Sequence, residues 1–164
     1  MKLIPTGIEN FKTMIDKKAY YVDKTNLIAD ILNEQVVLYT RPRRFGKTLN
    51  MSMLYYFFSI KEKENSYLFN DLNISKSKDA LKHQNQYPTI FISLKEMKNL
   101  TFDDQISSFG DVIKNVILQN KELLESVYVD ESDQLILQDF RFLRASLNQL
   151  KYALKTISRC LYKH

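Results

Sequence analysis

The feature that most constrains this chain is an apolar segment that leads into a basic loop. Residues 36–40 read Val-Val-Leu-Tyr-Thr, a β-branched and aromatic run that is typical of a buried strand. Pro42 cannot extend a central strand, so a loop is predicted to follow. Residues 48–59 are apolar on nearly every side, which indicates a helix buried on two faces. The order strand, loop, helix favours an α/β fold.

The loop itself carries a pattern with a defined chemistry. Residues 41–48 read Arg-Pro-Arg-Arg-Phe-Gly-Lys-Thr, which fits the phosphate-binding pattern G-x-x-x-x-G-K-[ST] except that an arginine replaces the first glycine. Gly46 would let the backbone turn its N–H groups toward phosphate oxygens. Lys47 would bring a positive charge to the β- and γ-phosphates, and the hydroxyl of Thr48 would bind magnesium.

A bare Gly-Lys-Thr tripeptide is common by chance, and the alternative interpretation of this loop is a plain basic turn. Its position after an apolar strand and before a buried helix favours a nucleotide phosphate site. The surrounding charge agrees, because residues 35–61 contain no acid in a chain of formal net charge +5. Such a basic block in the middle of a chain suggests an anionic ligand, either phosphate or nucleic acid.

Length and composition exclude several classes of protein. A chain of 164 residues that is 45% apolar and 26% charged predicts one soluble globular domain rather than a disordered chain. The longest apolar run has six residues, far short of the ~20 that a membrane span needs. The proline at position 5 precedes any core of a signal peptide, so no export signal is predicted. A single cysteine cannot form an internal disulfide, which favours the cytoplasm.

The rest of the chain predicts one more strand and several helices. Helical spacing marks residues 8–15 and 24–33, and residues 88–94 form the second strand-like run. Residues 102–124 predict a long amphipathic helix. A last helix is predicted from a stripe of apolar residues spaced by four and three, which has basic residues on its opposite side; the stripe consists of Leu143, Leu147, Leu150, Leu154, Ile157 and Leu161.

Five stretches of the sequence match a known family in order, the loop being the most specific. The chain resembles the N-terminal AAA-ATPase-like domain of bacterial proteins that usually also carry a C-terminal PD-(D/E)XK nuclease-like domain. Arg41 is usual at its position in that family. The matching stretches are residues 7–11 (Gly-Ile-Glu-Asn-Phe), 20–25 (Tyr-Tyr-Val-Asp-Lys-Thr), 41–49, 55–58 (Tyr-Tyr-Phe-Phe) and 87–94 (Tyr-Pro-Thr-Ile-Phe-Ile-Ser-Leu).

The resemblance implies a P-loop NTPase-like fold, in which a parallel sheet has helices on both faces, and it implies ATP and Mg²⁺ as ligands. Thr48 is then the metal ligand, and the segment with Tyr21 and Asp23 borders the adenine. Arg43 or Arg44 would touch a phosphate or a neighbouring subunit, and the sequence does not choose between them. The complete set of expected nucleotide-binding residues is Tyr21, Asp23, Arg43, Arg44, Phe45, Gly46, Lys47, Thr48 and Leu49.

Family members continue into an apolar strand that ends in Asp-Glu, the Walker B element. Residues 1–164 are therefore expected to be the N-terminal part of the domain, in which ATP hydrolysis belongs to a longer parent protein. Residues 127–131 (Val-Tyr-Val-Asp-Glu) imitate that element, but the polar residues on both sides favour an acidic turn between helices. The leucine stripe would lack its covering strand, which predicts a homo-oligomer through the C-terminal helix.

Two other functions are compatible with the sequence. A nucleic-acid-binding module would use Arg41, Arg43 and Arg44 together with the basic face of the C-terminal helix to contact backbone phosphates. A scaffold with a vestigial loop would bind neither nucleotide nor nucleic acid. The basic helix face is also what an ordinary solvated surface looks like.

Overall fold

The structure is a computed structural model that describes residues 4–40, 42, 45–95 and 97–164. It divides into two compact units, one that runs to Thr89 and one that runs from Ile90 to His164. Within the described ranges every regular element is a helix. The same ranges contain one isolated parallel bridge, between Ser59 and Tyr87, and no β-ladder. No described helix combines the length and the apolar character needed to cross a bilayer.

The prediction of an α/β fold with a P-loop NTPase-like parallel sheet is therefore wrong. Residues 36–40 and 88–94, the two expected strands, have no regular secondary structure. Val36 and Leu38 are each 87% exposed, and Leu94 is 54% exposed. The physical reason is that β-propensity measures how well a side chain fits a pleated, half-buried surface. That surface exists only where another strand pairs, and the described residues contain no pairing strand for either segment.

The first unit contains four α-helices and two 3₁₀ segments among its described residues. The α-helices are α1 (Phe11–Asp16), α2 (Asn26–Ile31), α3 (Lys47–Phe58) and α4 (Lys78–Leu81). The 3₁₀ segments are Ile60–Phe69 and Asn73–Lys76. The predicted helix over 48–59 thus forms nearly as expected, whereas the 3₁₀ turns that follow it were not predicted.

Aromatic side chains build the core of the first unit. Phe11 of α1 stacks on Phe69 with ring centroids 5.2 Å apart, and Phe57 of α3 meets Phe69 edge-on at 5.1 Å. Met53 and Ile28 are completely buried in the same cluster. Each such burial removes a large apolar side chain from water, which stabilises the fold by roughly 1.5–3 kcal/mol per residue. α3 is consequently held along its middle and C-terminal part.

A polar clasp joins the start of α2 to the 3₁₀ turn at Asn73–Lys76. The carboxylate of Asp23 accepts hydrogen bonds from the backbone N–H of Thr25 at 2.9 Å, its hydroxyl at 2.7 Å, and the N–H of Asn73 at 2.7 Å. The Thr25 hydroxyl oxygen accepts in turn from the N–H of Ile74 at 3.1 Å. Burial raises the pKa of Asp23, but these hydrogen bonds outweigh it, so the pKa lies below its ordinary value.

The second unit is also helical throughout its described residues. It consists of α5 (Phe102–Gln119), a 3₁₀ turn (Lys121–Glu125), α6 (Glu131–Arg141), α7 (Leu147–Lys151) and α8 (Ala153–Lys163). α5 begins where the sequence predicts, because the hydroxyl of Thr101 accepts from the N–H of Asp104 and two acids occupy the first turn. Its buried face meets α6, α7 and α8 around a core that includes Ile113, Ile117, Leu137, Phe140 and Ile157.

The prediction of one continuous helix along the leucine stripe is wrong. Two interruptions divide this helix: Leu143, between α6 and α7, has a left-handed φ of 56°, and Tyr152 separates α7 from α8. Ser146 then starts a new helix through a capping box with Gln149, a strong local start signal that the apolar spacing does not reveal. Leu150 and Ile157 are buried inside the unit, while Leu143 and Leu147 stay about half exposed. Much of the stripe is therefore covered by the unit itself.

The acidic turn expected near residues 127–131 is confirmed. Asp130 is the N-cap residue of α6, so the Asp-Glu pair starts a helix rather than ending a strand. Asp133, whose side chain is 7% exposed, accepts from Arg159 at 2.6 and 3.3 Å. Lys163 pairs with Asp130 and lies 3.7 Å from Asp133. These contacts tie α8 to the first turn of α6.

Replacing Asp23 by asparagine should destabilise the chain at neutral pH by about 1–2 kcal/mol, because an amide cannot accept from Thr25 and Asn73 on both of its ends. Since the folded pKa is depressed, the carboxylate contribution is present above the unfolded pKa, about 4, and is lost as the pH falls through the folded value. Urea unfolding of Asp23→Asn and wild type should therefore converge toward low pH. Asp79→Asn, at an exposed carboxylate paired with Lys82, is the matched control and should change little. A constant difference between Asp23→Asn and wild type at every pH would contradict the assignment.

Truncating Arg159 to alanine should lower the free energy of unfolding by roughly 1–3 kcal/mol, because the buried carboxylate of Asp133 loses a two-pronged charged partner. Lys155→Ala changes another exposed basic residue of α8 and should have an effect below about 0.5 kcal/mol. Thermal unfolding followed by circular dichroism measures both. Equal effects of the two variants would show that the ion pair with Asp133 does not stabilise the unit.

Candidate functional site

The candidate site is the loop that leads into α3. Arg41, Arg43 and Arg44 lie outside the described residues, so the expectations placed on them remain predictions. The described part consists of Pro42 and the stretch that begins at Phe45, whose side chain is 58% exposed. The site is therefore built from the end of the loop and the first turn of α3.

Gly46 makes the turn from the loop into the helix. Its backbone adopts φ of 74° and ψ of 23°, the left-handed conformation, at the N-cap position of α3. An added Cβ would meet no heavy atom within 4 Å, so steric crowding does not require glycine here. The positive φ does, because side chains other than that of glycine disfavour it. Its carbonyl accepts the first helical hydrogen bond from the N–H of Asn50 at 2.9 Å. The backbone therefore bends at Gly46, and the binding of phosphate at this bend stays a prediction.

Lys47 and Thr48 follow as the first two residues of α3, and both are exposed. The first turn of this twelve-residue helix contains no acidic residue. The N–H groups of a helical first turn lack partners within the helix, and the helix dipole favours negative charge at that end. Leu49, the next residue of the expected set, is half-buried against the aromatic core. The arrangement can receive an anion through backbone N–H groups, an ammonium group and a hydroxyl.

A side-chain hydrogen bond joins the two ends of the loop. Asn50, which is 2% exposed, donates from Nδ2 to the hydroxyl of Tyr39 at 2.8 Å. Tyr39 precedes the loop by two residues and Asn50 follows it by two. Sequence reasoning did not select either residue. The available signal was an asparagine within the largely apolar stretch of α3, since a buried amide must find a hydrogen-bond partner.

Tyr21 and Asp23, the residues expected near the adenine, are engaged in other contacts. The Tyr21 ring lies edge-on to Phe11 at 5.6 Å, and its hydroxyl lies 3.5 Å from the sulfur of Met53 in α3. Burial raises the pKa of Tyr21 to about 12. Asp23 is occupied by its clasp with Thr25 and Asn73. Tyr21 thus packs on the helix that begins at the loop, whereas Asp23 holds the turn at Asn73–Lys76.

Two cavities of the second unit are not lined by loop residues. The larger, about 510 Å³, lies between residues 91–97 and α5 and is lined by Ser93, Lys95, Ser108, Asp111 and Asn115 among others. The smaller, about 250 Å³, lies between α5 and the start of α7, with Phe140 and Leu143 in its wall. Among the described residues no group of three or more His, Cys, Asp or Glu side chains could hold a metal ion. Neither cavity contains the phosphate-binding pattern.

Three basic residues of the C-terminal region pair with carboxylates of their own unit. Arg159 binds Asp133, Lys163 pairs with Asp130, and Arg144 lies 3.7 Å from Asp139. A basic group that already contacts a carboxylate must give up that contact before it can bind a nucleic-acid phosphate. These contacts favour a structural role for Arg144, Arg159 and Lys163.

The comparisons with known proteins agree with the family that the sequence resembles. The curated proteins and the solved structures give no significant match to the chain. A family model described as "Predicted AAA-ATPase" matches residues 5–162, which include both units and the whole candidate loop. The chain therefore belongs to the predicted AAA-ATPase family.

Proposed function

We propose that this chain is an ATP-binding module that holds the nucleotide phosphates at residues 41–48, a variant of the Walker A loop. Membership of a predicted ATPase family supports the use of a nucleotide. The observation that carries the proposal is the left-handed Gly46 at the start of α3, followed by exposed Lys47 and Thr48. A glycine turn before a helix N-terminus aims consecutive N–H groups at one point, which is how phosphate is commonly bound.

Each residue of the loop would have its own role. Lys47 would place its ammonium group between the β- and γ-phosphates, where a compact charge attracts both. Phe45 and Leu49 flank these groups, and the half-buried Leu49 would fix the first turn against the core. Arg43 or Arg44 would add charge, toward a phosphate or toward a neighbouring subunit. Tyr21, which packs against Met53 of α3, would border the base, while Asp23 would act through the segment that it clasps.

Magnesium fits the proposed site as a ligand of ATP rather than as an ion held by the protein alone. Mg²⁺ binds oxygen and usually keeps several waters besides phosphate oxygens and one or two protein groups. The exposed hydroxyl of Thr48 offers one such oxygen in the first turn of α3. The ion would supply charge neutralisation between the phosphates, and Thr48 would orient it.

Nucleic-acid binding, the second candidate, is not favoured by the described contacts. Arg144, Arg159 and Lys163 meet carboxylates of their own unit. Arg41, Arg43 and Arg44 lie outside the described residues, so their contact with either a nucleotide or a nucleic acid stays a prediction. A steep fall of DNA affinity with salt would be the signature of several phosphate contacts and would revive this alternative.

Lys47→Ala should weaken binding of Mg-ATP at least tenfold, because the variant loses the charge that the proposal places at the β- and γ-phosphates. Isothermal titration calorimetry on the full chain measures the affinity. Lys63→Ala removes an exposed lysine of the Ile60–Phe69 segment and is the matched control, which should bind like wild type. Equal affinity of Lys47→Ala and wild type would overturn the placement of the phosphates at this loop.

Thr48→Ala should abolish the gain in ATP affinity that magnesium gives, while the affinity measured in EDTA stays within about twofold of wild type. The reason is that the hydroxyl is assigned to the metal and not to the nucleotide itself. Thr48→Ser keeps the hydroxyl and should retain the magnesium effect. If Thr48→Ala and wild type respond to magnesium alike, Thr48 is not the metal ligand.

A further inference from the structure

We infer that the hydrogen bond between Tyr39 and Asn50 is a clasp that fixes the segment entering the loop against α3 and so positions residues 45–48 for phosphate. The two residues are thus positioning residues of the candidate site, and neither is expected to touch the nucleotide. This inference rests on the proposed function and deepens it, because it says what fixes the geometry of the loop before a nucleotide binds.

Asn50 contacts both ends of the loop at once. Its backbone N–H donates to the carbonyl of Gly46 at 2.9 Å, which closes the first turn of α3. Its side-chain Nδ2 donates to the hydroxyl of Tyr39 at 2.8 Å. One residue therefore connects the left-handed glycine to the segment that enters the loop. The residues between the two partners, 40–49, include the whole phosphate-binding pattern.

The entering segment has little other regular structure to hold it. Residues 36–40 form no β-ladder with any described part of the chain, and Val36 and Leu38 are each 87% exposed. Tyr39 is better covered than these two neighbours, and its hydroxyl reaches an amide that is 2% exposed on α3. This hydrogen bond is partly shielded from water, so it fixes the segment more firmly than a fully exposed contact would.

Holding the ends of a loop in place changes ligand affinity, because it changes how often the unbound protein has the conformation that binds. A loop that spends only part of its time in the competent shape binds with its intrinsic affinity multiplied by that fraction. Loss of one intramolecular hydrogen bond typically changes such an equilibrium by about three- to tenfold. The clasp should therefore alter the affinity for ATP although it makes no contact with the ligand.

A purely structural role would give a different result, and a second tyrosine of the same unit allows the two to be separated. The hydroxyl of Tyr56 on α3 accepts from Asn10 at 3.2 Å, in a contact with the residue that caps α1. Tyr56→Phe removes one phenol hydrogen bond from α3, as Tyr39→Phe does, but leaves the ends of the loop untouched. It is therefore the matched control.

Tyr39→Phe leaves the buried amide of Asn50 without this partner, which could destabilise the fold and confuse the result. The double variant Tyr39→Phe/Asn50→Leu removes both polar groups and keeps the volume similar, so it should recover stability. It still lacks the hydrogen bond between positions 39 and 50. Its affinity for ATP separates a loss of fold stability from a loss of loop geometry.

The experiment compares wild type, the two single variants and the double variant as full chains, using Mg-ATP calorimetry, urea unfolding, and amide exchange at residues 45–48 without nucleotide. We expect Tyr39→Phe and the double variant to bind Mg-ATP about three- to tenfold more weakly and to exchange faster at residues 45–48. Tyr56→Phe should match wild type in both measurements. The double variant should be more stable to urea than Tyr39→Phe and should still bind weakly.

Four outcomes would overturn the inference. If Tyr39→Phe binds ATP and exchanges like wild type, the clasp does not position the loop, although the proposed function stands. If Tyr56→Phe loses as much affinity as Tyr39→Phe, or the double variant regains affinity together with stability, the effect is one of fold stability. If wild type itself does not bind Mg-ATP, the proposed function fails, and the inference falls with it.

Discussion

The burial of α3 is the constraint on which the first unit depends. Met53 and Phe57 are completely buried, and Phe57 meets Phe69 at 5.1 Å in the aromatic cluster. The C-terminal part of the helix is therefore fixed by packing, while Lys47 and Thr48 at its start remain exposed. A helix anchored at one end by its core presents its other end as a rigid group of N–H donors. In such a unit, the exposed N-terminal end of the helix is where an anion can bind.

Two buried polar residues of α3 decide which segments pack beside it. The hydroxyl of Ser52 accepts from the backbone N–H of Phe11 at 3.0 Å, which sets the start of α1. Asn50 reaches Tyr39, which sets the entry into the loop. An apolar side chain at either position would pack as well but would not select a partner, whereas a buried polar group is costly unless its partner is in place. The two residues thus contribute specificity to a helix that apolar contacts stabilise.

The parts of this fold that could be predicted from sequence are those whose causes are local. The start of α5 was predicted because its apolar spacing is regular, and the structure adds a local cause in the cap formed by Thr101. The strands over 36–40 and 88–94 were predicted wrongly, because a strand exists only with a partner that local composition cannot supply. The break before α7 has a local cause in the capping box of Ser146, but the regular leucine spacing concealed it. Leucine period alone does not distinguish one helix from two that share a core.

The candidate site also has a part that could be predicted from the sequence and a part that could not. Gly46, Lys47 and Thr48 form a local pattern, so their place at a helix start could be read from the chain, and the left-handed glycine agrees with it. The contact between Tyr39 and Asn50 joins residues eleven positions apart across a loop, and its existence depends on how the loop returns to α3. A phosphate-binding pattern identifies the groups that would touch a ligand. It does not identify a contact such as the one between Tyr39 and Asn50, because such contacts are set by the tertiary packing of each chain.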